Sequence, residues 1–194
     1  SGDALSASAS VVGVDRHRAG SRLTIRIDTI DDDQRPVATS FTATLFRDVE
    51  LDQEAAPPEI RLDAPARAAG EAMRTQAIEI TALAPYWFSE CARDYGAIHT
   101  DIKSATQAGL PGLILHGTGT IAYALSAITN QEAGGDPGRV RGFQARLAGM
   151  VLCPSVMTLR VFRSDDAGLV HFDVLNDQGA TAIADGIVIL GAAQ

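Results

Sequence analysis

Cysteines, basic residues and long apolar runs are all in short supply in this chain, and each shortage excludes something. Only two cysteines, Cys91 and Cys153, occur in 194 residues. They are far apart, with no CxxC pair and no metal-ligand spacing. They read as small buried thiols in a reducing cytoplasm rather than as a disulfide framework. Lys and Arg total 16 against 24 Asp and Glu, a net charge of −8. That balance excludes a general nucleic-acid binder, which needs a basic face, but it permits a local basic pocket for an anionic ligand. No apolar run is long enough to span a membrane. The first residues show no basic flank followed by an apolar core, so no secretory signal is read in them. There is no G-x-S-x-G elbow, no P-loop and no G-x-G-x-x-G, which leaves serine nucleophiles and nucleotide phosphates weakly supported. Nothing calls for a metal or a redox cofactor.

What is present is a globular composition, 46% hydrophobic and 21% charged, which is enough for a substantial core. Ala4 to Val14 reads as a strand. Arg22 to Ile30 alternates Leu23, Ile25 and Ile27 with Arg22, Thr24, Arg26 and Asp28, the period of a half-buried strand. Asp31 to Gln34 is a turn, and Pro36 to Phe46 is a third strand, so residues 1–48 form an antiparallel meander with no helix. The acidic triplet Asp31-Asp32-Asp33 suggests a solvated hairpin tip over a cation site. Residues 49–72, rich in Ala, Pro and acidic side chains, read as a linker. Residues 73–194 form a second unit. It opens with a strand, Thr75 to Ile80, and a helix, Ala82 to Arg93. A loop from Asp94 to about Ser104 leads to a long, all-round apolar helix, roughly Leu113 to Asn130, that should be buried. Four strands follow: Val140 to Val151, Met157 to Arg163, Leu169 to Asn176 and Ala180 to Leu190. Turns at Asp165-Asp166-Ala167-Gly168 and Asn176-Asp177-Gln178-Gly179 separate the last three. A helix followed by antiparallel strands predicts an α+β fold with the sheet wrapped around the helix.

The window Arg93 to Thr120, RDYGAIHTDIKSATQAGLPGLILHGTGT, carries the chemistry. Asp94 and His99 are five positions apart, and Gly96 between them is free to take positive φ and turn both side chains to one point. Two groups of differing pKa around one water can remove one proton and deliver another. The alternative is that Asp94 caps a turn and His99 bonds a backbone carbonyl. Gly117 and Gly119 lie near the start of the long helix, where early amides lack acceptors and the dipole adds partial positive charge. They could hold an oxyanion on a thioester carbonyl, or simply allow close helix–sheet packing. His116, in an apolar run, reads as a core residue bonded to backbone. His17 and His171 have no partner pattern, and Cys91 has no basic neighbour to activate it.

The segment D-x-x-x-[I/L]-H-x-D followed by A-G-L-P-G-L-I-L-H-G-T resembles the signature of the MaoC-like dehydratases, R-specific enoyl-CoA hydratases of the hotdog fold. The likeness is specific from Tyr86 to Leu125 and weaker through R-V-R-G-F-Q-A-R-L-A-G-M-V to the C-terminus. It implies a hydro-lyase that adds water to, or removes it from, a trans-2-enoyl or R-3-hydroxyacyl thioester. Asp94 and His99 would hold the water, and the Gly117 amide would supply the oxyanion hole. Coenzyme A or an acyl-carrier phosphopantetheine would enter as part of the substrate. Arg139, Arg141, Arg146 or Arg160 could meet its phosphate, or could belong to a solvated strand face. Three departures stand out. Gly96-Ala97 replaces the family's Asn-Pro, and Arg93 replaces the glycine that usually precedes the aspartate. Near Cys153-Pro154-Ser155 the family commonly has a Pro-Gly turn.

Two-repeat members of this family carry a non-catalytic N-terminal hotdog, and Gly2-Asp3-Ala4-Leu5 resembles the G-D-x-L of its later strands. The resemblance implies that residues 1–48 are a partial, helix-less repeat preceding a complete catalytic hotdog. Three such strands cannot bury their apolar face alone. Another segment, a subunit or a second copy is expected to complete them, giving a homo- or hetero-oligomer. Two other activities share these features: a hotdog acyl-thioesterase, and a non-catalytic, pocket-forming subunit of a heteromeric hydratase.

Overall fold

A computed structural model describes residues 4–53, 67, 70–162 and 168–192. The chain divides into two compact units, Ser1–Arg61 and Leu62–Gln194. Most of the expected linker, the first three turn residues Asp165-Asp166-Ala167, and Gly2-Asp3 lie outside the described residues.

The first unit is a three-stranded antiparallel meander in the order β1-β2-β3, with β1 Leu5–His17, β2 Gly20–Asp31 and β3 Pro36–Arg47. Residues directly opposite across a ladder share a face. Leu23, Ile25 and Ile27 stand opposite Val14, Val11 and Ala9 on one side and Thr44, Thr42 and Ser40 on the other, so one face is largely apolar or small. The opposite face carries Arg22, bonded through both donors to Asp15 at 3.0 and 2.7 Å, and Arg26, bonded to Asp28. Among the described residues, this unit's buried side chains are Asp15, Ser21 and Thr24, all polar. At the β2–β3 tip, Asp31 accepts from the Arg35 amide and Asp33 pairs with Arg35 at 2.8 Å. Two of the three acidic residues, Asp31 and Asp33, are therefore tied to one arginine.

The second unit is a five-stranded antiparallel sheet in the order β4-β6-β7-β8-β5. Its strands are β4 Arg74–Ile80, β5 Val140–Leu147, β6 Ser155–Phe162, β7 Leu169–Leu175 and β8 Thr181–Leu190. Four α-helices lie between β4 and β5, α1 Ala84–Ala92, α2 Ala97–Thr100, α3 Ile102–Gln107 and α4 Gly117–Glu132, followed by a short 3-10 turn, Pro137–Arg139. Ala124, Ala127 and Ile128 of α4, at helical spacing, join Ile80, Met157, Leu159, Val161, Phe172, Val174, Ile183 and Val188 in one core. This is the α+β hotdog arrangement, with a helix packed against an antiparallel sheet.

Three details differ from expectation. The stretch after Asp94 is not an open loop but contains α2 and α3, because Asp101 caps α3 by accepting from the amides of Lys103 and Ser104 at 3.0 and 3.4 Å. The long helix starts at Gly117 rather than Leu113, because Leu115 donates to Val151 and Cys153 donates to Leu113, which holds 113–115 extended. It is also not buried all round: Thr118, Ala122, Ser126 and Asn130, one i, i+4 stripe of small and polar residues, are exposed.

Candidate active site

Helix α1 delivers the site. It ends at Arg93, which adopts the left-handed conformation at φ 54° and ψ 37°. This is the conformation in which glycine is favoured after a helix, so the family's glycine is accounted for and Arg93 bears the strain here. The Asp94 amide closes the cap on the Ser89 carbonyl at 3.2 Å, leaving the Asp94 side chain exposed.

Gly96 does not take the positive φ expected of it. It caps α2 at φ −58°, and its lack of a side chain matters for space instead. A Cβ there would stand 3.1 Å from His99 Cδ2, 3.6 Å from His99 Nε2 and 3.8 Å from Asp94 Oδ1. The imidazole edge and the carboxylate therefore face a common point that a larger residue at 96 would crowd.

His99 sits on α2, with its amide donating to the Gly96 carbonyl at 3.0 Å. Its Nδ1 lies 2.8 Å from the carbonyl oxygen of Ile114. A carbonyl only accepts, so Nδ1 carries the proton and Nε2 presents a lone pair. Ile114 is held in turn by its bridge to Leu152. Ile114 had no signature in the sequence, because it acts through its backbone. Asp101, two residues beyond His99, has no part in this pair. The Ser104 hydroxyl, then the Lys103 amide, hold its carboxyl below the usual 3.8.

The start of α4 adjoins the pair through His116, whose ring stacks on His99 with centroids 3.7 Å apart. His116 is buried, as expected, and Nε2 donates to the Asp94 carbonyl at 3.0 Å. The first-turn amides of Gly117, Thr118 and Gly119 have no acceptor within the helix. Both glycines are also tightly packed. A Cβ on Gly117 would meet the Leu147 side chain at 2.4 Å, and one on Gly119 would meet Phe88 and Leu115 at 3.2 Å. The packing role is thus present at both positions, whatever the Gly117 amide does.

Other expectations fall outside this cluster. Cys91 is exposed rather than buried, since it lies on the solvent side of α1. Cys153 is partly covered, and burial pushes its thiol up to about 11. Arg139 donates to the Gly191 carbonyl at 3.1 Å, Arg146 pairs with Asp185 at 2.8 Å, and Arg160 pairs with Asp173 at 2.7 Å. His171 is buried on β7, and burial, then the Arg67 charge, lowers its pKa.

Residues 66–176 match the family model of the MaoC like domain. A 74-residue stretch is 39% identical to part of the fatty acid synthase subunit beta of Aspergillus oryzae, covering 38% of this chain and 4% of that subunit. Among solved structures, a MaoC-like dehydratase from Phytophthora capsici superposes with a TM-score of 0.88 at 18% identity, over 98% of this chain and 66% of that one. The peroxisomal multifunctional enzyme type 2 of Drosophila melanogaster superposes with a TM-score of 0.82 at 18% identity, over 96% of this chain and 34% of that one. This chain spans less than two thirds of the length of each.

Proposed function

This chain belongs to the MaoC-like dehydratase family, and on that premise we propose that it adds water to a trans-2-enoyl thioester, or removes it from the R-3-hydroxyacyl product. One observation carries the reading: the Nδ1–Ile114 bond leaves His99 Nε2 as a free base facing the same point as the Asp94 carboxylate. In the hydration direction, His99 Nε2 takes a proton from water as its oxygen bonds to the β-carbon. The α,β double-bond electrons move toward the thioester oxygen, and the enolate charge is held by the Gly117 amide at the positive end of α4. Asp94, entering the step as the carboxylic acid, delivers its proton to the α-carbon. The proton gained by His99 then returns to the Asp94 carboxylate and resets the pair, and the reverse steps give dehydration. The acyl group is carried on coenzyme A or an acyl-carrier phosphopantetheine, and no other cofactor takes part.

The same reading extends to the first unit. Its apolar face, with Leu5 and Val11 largely exposed, is covered in the working protein by another segment or subunit. Size-exclusion chromatography tests this: an oligomer or heteromer is expected, and a well-behaved monomer of the isolated chain counts against it.

The activity is tested with crotonyl-CoA and longer or branched enoyl-CoAs. Hydration consumes the conjugated enoyl absorbance without releasing thiol, and yields the R product. Release of free coenzyme A would instead identify a thioesterase.

A further inference from the structure

His116 is a costly residue to bury. Only 1% of it is exposed, Nε2 lies 3.3 Å from Ser89 Oγ and 3.0 Å from the Asp94 carbonyl, and Nδ1 is buried with no hydrogen-bond partner among the described residues. Because the Asp94 carbonyl only accepts, Nε2 carries the proton and Nδ1 is an orphaned lone pair. A phenylalanine would fill similar space beside Phe88, whose ring centroid is 4.9 Å away, without that orphan. Buried polar groups without partners are rare in native proteins, and each calls for a reason. Here the reason lies in what else the ring touches. One imidazole bonds the backbone of Asp94 and stacks on His99, the two residues assigned to proton transfer.

We infer that His116 is a positioning residue, which fixes the Asp94 backbone by its Nε2–H bond and the plane of the His99 ring by stacking. The inference rests on the assignment of Asp94 and His99 as the working pair. The titratable groups facing it are those same two residues, and Ser89 is neutral. Burial, then the neighbouring His99, holds His116 toward the neutral form against the opposing influence of Asp94. A neutral ring keeps its one proton on Nε2 and puts no second charge against His99 when that residue becomes imidazolium. With the Ile114 carbonyl at its edge and His116 on its face, His99 is held from two directions, and its free Nε2 has one orientation.

The test compares the full chain with H116F, which keeps a ring but removes the donor, and H116Q, which keeps an N–H but removes the ring. H116F is expected to melt at or above the wild-type temperature. Its kcat on enoyl-CoA should fall about 100-fold with KM little changed, since a misplacement near 1 Å has that effect. The acidic limb of its pH profile should move to higher pH, because a phenyl face stabilises the His99 imidazolium more than a neutral imidazole does. H116Q should recover about 10-fold of the loss through its restored donor. Independently of turnover, the His99 nitrogen resonances should report a single Nδ1–H tautomer in the wild type and in H116F, whose ring still stacks, and a mixture in H116Q. Wild-type kcat, pH limb and nitrogen resonances in folded variants would overturn the inference. So would a fall in kcat that only follows a fall in melting temperature. If H116F does not fold, H116Q decides: mixed His99 tautomers and a moved limb support the role, and wild-type values overturn it. If the wild type does not hydrate any enoyl-CoA, the proposed activity fails, while the resonances still judge the positioning.

Discussion

The two units of this chain solve the same patterning problem with opposite outcomes. Both are antiparallel sheets of alternating strands. The five-stranded sheet of the second unit packs on α4, and Phe172, Ile128, Leu159 and Ile183 are sealed from solvent. In the three-stranded sheet of the first, Leu23, Ile25 and Ile27 are half-buried, and the buried side chains among its described residues are polar. Alternation thus sets which side chains share a face, but burying that face takes a second layer. The catalytic candidates all lie in the unit that has its helix, at the N-terminal end of that helix. A rigid core beneath α4 is what allows a backbone carbonyl at Ile114 and a ring at His116 to hold side chains in place.

The comparison can be broken by truncating matched positions. Phe172→Ala in the second unit should destabilise by about 3–5 kcal/mol. Ile25→Ala in the first should cost less than about 1 kcal/mol in the isolated chain, since little solvent-inaccessible packing is lost. Urea denaturation measures both, and equal costs would mean that the first sheet is already covered. A smaller effect comes from pH. The folded second unit lowers the pKa of both His116 and His171 below the ordinary 6.5, chiefly by burial. A lowered histidine favours the neutral form in the fold, so its contribution is present above about pH 6.5 and lost as pH falls below that. Each such histidine adds at most about 1.4 kcal/mol per pH unit to the slope. His171→Gln should flatten the fall in the urea midpoint between neutral and mildly acid pH, and an unchanged slope would contradict the assignment. Smallest of all, a thiol reagent should label exposed Cys91 well before Cys153, whose thiol burial holds in the unreactive protonated form.

Much of this was legible from residue order. Strand positions follow from alternation, and a sheet wrapped around a helix follows from a helix succeeded by strands, because both patterns are local and periodic. That this sheet is a hotdog is implied by the resemblance carried by the Arg93 to Thr120 window. Asp94 and His99 stand out in the sequence because two chemically distinct groups lie at close spacing, and the fold brings both side chains beside Gly96. What escaped was carried by the backbone. The extended stretch at 113–115 overrode helix propensity through pairing with Val151 and Cys153, and the carbonyl that sets the His99 tautomer has no side-chain signature. Gly96 between the two groups predicts a positive φ, whereas its φ is −58° and its contribution is the space left beside His99 and Asp94. The apolar run around His116 predicts a core residue, and the side chain is buried, but spacing alone does not show that its neighbours there are Asp94 and His99.

The most direct measurement is the turnover of a trans-2-enoyl-CoA by the wild type, Asp94→Asn and His99→Ala, each shown to be folded by its melting temperature. Loss of the enoyl absorbance with formation of the R-3-hydroxyacyl thioester is expected for the wild type, falling by about 10²–10⁴-fold in either variant. Equal hydration rates in all three proteins would contradict the roles given to Asp94 and His99, and no hydration by any of them would contradict the activity itself and favour a pocket-forming subunit.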